Sequence, residues 1–433
     1  MQQMKKIIYS LFIGLMALTA CKKEMEPVFR ESIDKRLKDT LDNYQRILMG
    51  AEYGWNTLVF PLQGGAYNFY MKFTDSNRVQ MFADLSEQTA NQMQESSWRL
   101  KALQQPSLLF DTYSYLHQLS DPDGNVNGGV DGAGLQSDFE FAFDGMQGDT
   151  IKLRGRFNHT VAYMIKASKA EQDLHYSQQV RRTFDRVGSL QTFFTRLSSA
   201  ETKCDLQVDI SSHRMLIGWQ QEGKYRIYTS NYYYTATGIG LANPYADTVK
   251  LPFTKLDNAT WNNNILHCNI DGKAATITET VLPLQVDTAA PRNWYNEALA
   301  AGDYWQTFNG WHINGVEDAL NVHSTARYYS FGYWPQYDTD TDFLPWITVN
   351  AAGTGLTYAY GVFFDGPPVF DTKGFLYFSP FAEGGTRPSP YTPVQRTYQL
   401  MADSGGFYMV KFAEKIYFMV SATTGKAWIA WYR

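Results

Sequence analysis

Oxygen-bearing side chains recur at every second position between residues 121 and 127. They are Asp121, Asp123, Asn125 and Asn127. Ligands in this alternating pattern can wrap around a hard cation, so the segment is a candidate calcium-binding loop. An EF-hand is excluded, because it needs Gly at the sixth position and Glu at the twelfth, where this loop has Val126 and Gly132. The alternatives are a calcium site of another type and a solvent-exposed turn. A second acidic run consists of Asp338, Asp340 and Asp342.

Large aromatic side chains are concentrated between residues 294 and 346. The candidates for ligand binding are Trp294, Trp305, Trp311, Trp334 and Tyr337. A flat indole face can stack on the apolar face of a sugar ring, and nearby Asn and Asp side chains can bind its hydroxyls. The composition therefore favours glycan capture. The alternative is core packing, since tryptophan is highly buried on average.

Motifs for established catalytic mechanisms are missing from the sequence. It contains no H-E-x-x-H, no G-x-S-x-G and no phosphate-binding glycine loop. Ser32 and Lys35 match S-x-x-K, but Ser32 is better explained as a helix cap. Asp138 and Glu140 could act as paired carboxylates, or they could line a solvated strand face. A hydrolase would have to assemble its carboxylates from separate loops.

The first twenty residues have the regions of an export signal. Lys5 and Lys6 form the positive start, and Ile7–Ala17 is an apolar run too short to span a bilayer. The following Leu-Thr-Ala-Cys sequence resembles the lipobox of bacterial lipoproteins. That resemblance implies that Cys21 becomes a lipid-modified N-terminus, followed by a tether over residues 21–30. The alternative is an ordinary secretory signal with an incidental cysteine.

Cys204 and Cys268 are the remaining cysteines, 64 residues apart. Export would permit a disulfide between them, which could contribute ~4 kcal/mol in the chain-entropy model. The alternative is two separate buried thiols. Without a C-x-x-C pattern they give no zinc-ribbon signal.

Hydrophobic periodicity predicts a mainly β (α+β) protein that begins with an amphipathic helix over residues 29–51. Short strands joined by tight turns follow, and they predict antiparallel meander or barrel-like domains. Residues 168–200 have helical spacing. The predicted domains are 31–167, 168–288 and 289–433, the last being aromatic-rich. A hydrophobic content of 44% argues against disorder, and a net charge of −5 without a basic patch argues against nucleic-acid binding.

Four segments resemble one large family of uncharacterised bacterial surface lipoproteins. They are GGAYNFYMKF (64–73), LLFDTYSYLHQLSDP (108–122), GLQSDFEFAF (134–143) and YTATGIGLANP (234–244). The resemblance implies an accessory lipoprotein of an outer-membrane nutrient uptake system of the SusC/SusD-like type, on the cell surface or the periplasmic face. It supplies no catalytic residues. We therefore expect a non-catalytic component that binds a glycan or a transporter partner. The alternatives are a surface hydrolase and a purely structural partner of the transporter.

Overall fold

The computed structural model describes residues 32–242 and 249–433. It confirms a mainly β fold with antiparallel sheets, organised as two closed barrels and one nine-stranded sheet. Each of the three predicted regions contains one of these sheets. The predicted signal peptide, the tether and Cys21 lie outside the described residues. No helix among the described residues is long and apolar enough to cross a membrane.

The predicted amphipathic helix is α1, Ile33–Met49. Ser32 caps it, because the Ser32 side chain accepts a hydrogen bond from the Lys35 amide at 3.3 Å. The apolar face of α1 covers the first barrel, where Tyr44 stacks on Phe143 with ring centroids 3.8 Å apart. The S-x-x-K match is therefore explained by helix capping.

The first barrel closes because each strand pairs with the next and β1 pairs with β8. Its strands are β1 Trp55–Phe60, β2 Tyr67–Phe73, β3 Arg78–Ala83, β4 Gln94–Ala102, β5 Pro106–Phe110, β6 Glu140–Gln147, β7 Thr150–Gly155 and β8 Val161–Lys166. Three short helices lie in its loops: α2 Glu87–Asn91, α3 Tyr115–Gln118 and α4 Gly124–Asn127. Alternate strand residues point inward and form an apolar core around Trp55, Phe69 and Trp98.

Residues 168–200 differ from the predicted helix. They form α5 Lys169–Tyr176, a 3-10 segment Thr183–Ser189 and the strand β9 Phe194–Ser199. The apolar residues Phe184, Val187 and Leu190 pack on the second barrel from the 3-10 segment and its C-terminal cap, so their spacing does not require a longer helix. The chain then enters β9, which pairs with strands on both sides.

The second barrel closes where β9 pairs with both β10 and β16. Its other strands are β10 Lys203–Asp209, β11 Arg214–Gln221, β12 Lys224–Tyr234, β13 Gly238–Ala242, β14 Lys255–Asn262, β15 Ile265–Ile270 and β16 Lys273–Thr280. This barrel contacts the first, since His213 Nδ1 lies 2.9 Å from the carbonyl oxygen of Ala66 and the Arg214 guanidinium donates to the Gln63 carbonyl.

The third region begins with α6 Ala290–Ala301 and ends in β25. Its strands are β17 Trp305–Thr307, β18 His312–Ile313, β19 Tyr328–Asp338, β20 Thr341–Val349, β21 Leu356–Phe370, β22 Phe375–Gly385, β23 Phe407–Ala413, β24 Ile416–Ser421 and β25 Ala427–Tyr432. A 3-10 turn, Val322–Ser324, precedes β19, and α7 Thr392–Met401 links β22 to β23. Because β17 pairs with both β19 and β25, this sheet also curls back on itself.

Candidate functional site

Three of the tryptophans predicted to bind a ligand lie in the core of the third region. Trp294, Trp305 and Trp311 have no solvent exposure. Trp305 Nε1 donates a hydrogen bond to the Trp294 carbonyl at 2.7 Å, which fixes α6 against β17. A fully buried indole has no face for a sugar, so the ligand-binding role is wrong for these three residues. The packing alternative explains them.

Trp334 and Tyr337 lie on the opposite side of the same sheet. Successive side chains of a strand alternate between faces, so Tyr333 is buried inside while Trp334 points outward and is half-buried. Tyr337 is 40% exposed. These two of the five predicted aromatic residues remain accessible to a ligand.

Further rings from neighbouring strands extend this surface, which we call the aromatic face. Its members are Tyr304, Trp334, Tyr337, Phe343, Tyr358, Phe363 and Phe381. Ring centroids are 5.4 Å apart for Tyr304 and Trp334, and 4.6 Å apart for Tyr337 and Phe343. Phe363 continues the row, with its ring stacked 4.8 Å from that of Phe343. Tyr358 and Phe381 are 49% and 57% exposed at its edges.

Three outward-facing glycines let the rings lie close against the sheet. A Cβ atom at Gly332 would lie 2.9 Å from the Tyr304 ring. One at Gly361 would overlap the Phe343 ring, and one at Gly384 would lie 2.7 Å from the Phe363 ring. Gly361 and Gly384 are cross-strand partners, so the rings of Phe343 and Phe363 lie over neighbouring positions on adjacent strands. Each ring fills the space of a missing side chain, and the Phe343 ring is buried between those of Tyr337 and Phe363.

Exposed carboxylates lie close in sequence to the rings of the aromatic face. They belong to Asp303, Asp338, Asp340 and Asp365. None forms an ion pair with another described residue. Asp342, the last member of the predicted acidic run, is instead buried and accepts hydrogen bonds from the hydroxyls of Tyr295 and Tyr333. Burial raises the pKa of Asp342 above its ordinary value.

The predicted calcium loop forms a turn that satisfies its own oxygens. Asp121 accepts hydrogen bonds from the Asp123 amide at 3.0 Å and from the Tyr113 hydroxyl at 2.5 Å. Asp123 caps α4 by accepting from the Asn125 amide, and the Asn127 side chain bonds to backbone groups of the loop. Among residues 32–242 and 249–433, no group of three or more His, Cys, Asp or Glu side chains could hold a metal ion. The turn alternative therefore accounts for this segment.

Two other predicted pairs have structural explanations. The buried Asp138 carboxylate accepts hydrogen bonds from three backbone amides and from the Thr160 hydroxyl, so it serves a structural role. Glu140 lies at the start of β6. Cys204 and Cys268 are both free and buried in the second barrel, which matches the two-thiol alternative rather than the disulfide.

Residues 25–263 match the family described as "Domain of unknown function (DUF4302)". The matched segment covers the first barrel and part of the second, and it ends before the aromatic face. No curated protein matches the chain.

Among solved structures, the chain is similar to a DNA polymerase III β chain from Streptococcus pneumoniae TIGR4, with 10% identity over 90% of this chain and 97% of that chain and a TM-score of 0.15. It is also similar to transferrin binding protein B from serogroup B Neisseria meningitidis, with 9% identity over 86% of this chain and 64% of that chain and a TM-score of 0.16. These TM-scores are too low to support an argument about fold or function.

Proposed function

Because the chain belongs to the DUF4302 family of unknown function, we propose its role from its own residues: it is a non-catalytic lipoprotein of the cell envelope that captures glycan chains on its aromatic face. The envelope location rests on the export signal and the lipobox-like sequence ending at Cys21. Lipid attachment would be followed by a short tether, so the folded domains would stay close to the membrane surface.

The observation that carries this proposal is the row of rings that crosses adjacent strands. Rings lie over Gly332, Gly361 and Gly384, and the most exposed rings of the row are those of Tyr337, Tyr358 and Phe381. Neighbouring strands lie about 4.8 Å apart, so the row offers successive stacking surfaces to a chain that crosses the strands. A glycan has this character, because its sugar rings expose apolar faces at regular intervals.

The exposed carboxylates near the aromatic face, which we call the polar rim, would supply the polar contacts to a sugar. Carboxylate oxygens accept hydrogen bonds, and those of Asp338 and Asp365 are exposed beside the rings. No lysine or arginine forms an ion pair with them in the described residues, so they remain available to sugar hydroxyls. Stacking would supply affinity and the rim would supply orientation.

Participation in a SusC/SusD-like nutrient uptake system is the finer part of this proposal, and the four family-like segments support it. In that role the protein would present glycans to an outer-membrane transporter. Mass spectrometry of membrane fractions tests the location. Diacylglycerol on the Cys21 sulfur is expected, and an unmodified sulfur or an uncleaved leader would contradict the envelope assignment.

Glycan binding is tested with the mature chain from residue 22, applied to a glycan array and followed by calorimetry. We expect binding that is lost when Tyr337 and Phe381 are both replaced by Ala. Phe412→Ala is the matched control, because Phe412 is 39% exposed on the same sheet but outside the aromatic face. Absence of binding to every glycan would remove the capture function.

Docking onto a protein partner is the second candidate for the same surface. It is favoured by the large exposed apolar area, since such patches also mark protein interfaces. Copurification from solubilised outer membranes distinguishes the two functions. Loss of a transporter partner with the Tyr337 and Phe381 double variant, together with a blank glycan array, would support docking.

A further inference from the structure

The first barrel carries a cleft that is separate from the aromatic face. It has a volume of about 680 Å³ and lies at one end of the barrel, between the β5–β6 loop and the β7–β8 hairpin. Its lining includes Ser137, Asp138, Phe139, Glu140, Arg156 and Phe157. The volume lies in the range of small-molecule sites.

Asp138 builds one wall of this cleft. Its carboxylate accepts hydrogen bonds from the amides of Phe157 at 2.8 Å and Asn158 at 2.9 Å. It also accepts from the Thr160 hydroxyl at 2.7 Å. These bonds fix the β7–β8 hairpin, so the Phe157 side chain is held outward instead of folding onto the barrel.

Two phenylalanine rings at the cleft are exposed without an apolar cover. Phe157 is 87% exposed and Phe139 is 37% exposed. Phe139 is held on its other side by His117, whose ring stacks on it at 4.4 Å. An ordered hairpin that projects a phenylalanine into water indicates a surface that contacts something else.

Some of the polar groups of the cleft keep unused hydrogen-bonding capacity. Glu140 and Arg156 are neighbours, because the Arg156 amide donates to the Glu140 carbonyl at 3.0 Å. Their charged groups nevertheless form no ion pair in the described chain, and the guanidinium donates only to the Ser107 hydroxyl. The Ser137 hydroxyl is buried and has no hydrogen-bond partner. The carboxylates of Asp138 and Glu140 and the guanidinium of Arg156 give the cleft a formal net charge of −1.

We propose that this cleft binds a short neutral saccharide, with a sugar ring stacked on Phe157 and its hydroxyls bonded by Glu140 and Arg156. Planar carboxylate and guanidinium groups can each bond two adjacent hydroxyls, and the net negative charge of the cleft disfavours an acidic saccharide. The site lies within the segment matched to the family, whereas the aromatic face lies outside it. The proposal therefore stands independently of glycan capture on the third sheet.

The test uses ligand-observed NMR and calorimetry on the mature chain. The probes are glucose, galactose, mannose, N-acetylglucosamine, maltose and cellobiose, with phenylalanine as a zwitterionic comparator. To exclude the other surface, the protein carries Tyr337→Ala and Phe381→Ala. We expect at least one sugar to bind, and Phe157→Ala and Glu140→Gln each to weaken it at least tenfold.

The controls separate loss of contact from loss of fold. Phe157→Ala should unfold at the same temperature as its parent, since the ring is almost fully exposed. Phe412→Ala should bind sugar as its parent does. The proposal is overturned if no sugar binds, if phenylalanine binds in their place, or if neither cleft variant changes the affinity.

Discussion

Asn68 and Asp84 of the first barrel bind the backbone carbonyl and the backbone amide of Tyr234 on the second barrel. The Asn68 side-chain amide donates to the Tyr234 carbonyl at 3.1 Å, and Asp84 accepts from the Tyr234 amide at 2.9 Å. Asn68 and Asp84 are themselves joined, because the Asp84 amide donates to the Asn68 carbonyl. Both side chains are buried, and each retains one oxygen without a donor. If Asp84 carried a proton, its hydroxyl would be a hydrogen-bond donor beside two oxygens, one on each side chain, that have no donor.

The stability of the junction between the barrels should therefore depend on pH. Burial raises the pKa of Asp84 from 3.8 to about 7. Between these values the folded state retains a proton that the unfolded state releases, so the contribution is complete below pH 4 and is lost as pH rises through 7. The loss amounts to ~4 kcal/mol at most.

Urea unfolding between pH 4 and 9 measures this loss against Asp84→Asn. The amide of Asn can still accept from Tyr234 and cannot ionise, so the difference between the two stability curves should grow in favour of the variant from pH 4 to about pH 7 and then level off. Asp138→Asn is the control, because it also replaces a buried carboxylate by an amide. A difference curve that stays flat between pH 4 and 7 would contradict a protonated Asp84.

Gly361→Ala should displace a ring of the aromatic face. The new methyl group would overlap the Phe343 ring, so the ring must move. We expect this to lower the free energy of unfolding by about 1–3 kcal/mol. We expect glycan capture to fall at least tenfold and the unfolding temperature to drop. Gly355→Ala is the matched control, because its Cβ would meet only the Asn350 amide at 3.4 Å. Equal glycan binding by both variants would show that the position of the Phe343 ring is unimportant for binding.

Local periodicity was sufficient to predict α1 and the antiparallel strand series. The apolar spacing that predicts a helix over 29–51 corresponds to Ile33–Met49, and alternating residues correspond to the strands of the barrels. Such patterns are contained within one element, so one sequence reveals them. Helical spacing over 168–200 was misleading, because the same interval is met by a 3-10 turn that leads into β9.

The aromatic face could not be predicted from spacing alone. Its geometry depends on pairing between distant segments, such as the register that places Gly361 opposite Gly384. Trp294 and Trp334 belong to the same sequence cluster, but one lies inside the sheet and the other outside. A partial signal was present in Gly361-Val-Phe-Phe364, where a glycine and Phe363 alternate with core residues on one strand.

The two classes of tryptophan should respond differently to truncation. Trp294→Ala removes a fully buried indole and should lower the free energy of unfolding by about 3–5 kcal/mol. Trp334→Ala removes a half-buried indole from the aromatic face and should lower it far less, while reducing glycan binding. Chemical denaturation and calorimetry on both variants provide the comparison. Comparable destabilisation by the two substitutions would contradict the division between core and face.

The remaining cysteines should be inert in the folded protein. Burial raises the pKa of Cys204 and of Cys268 to about 12, so at pH 8 the reactive thiolate is almost absent, and the surrounding core excludes reagent. A mature chain that begins at residue 22 should release no chromophore from Ellman's reagent when folded and two equivalents in guanidinium. Release of none in guanidinium without reductant would instead demonstrate a disulfide, and Cys204→Ala, which should then expose one reactive thiol, serves as its control.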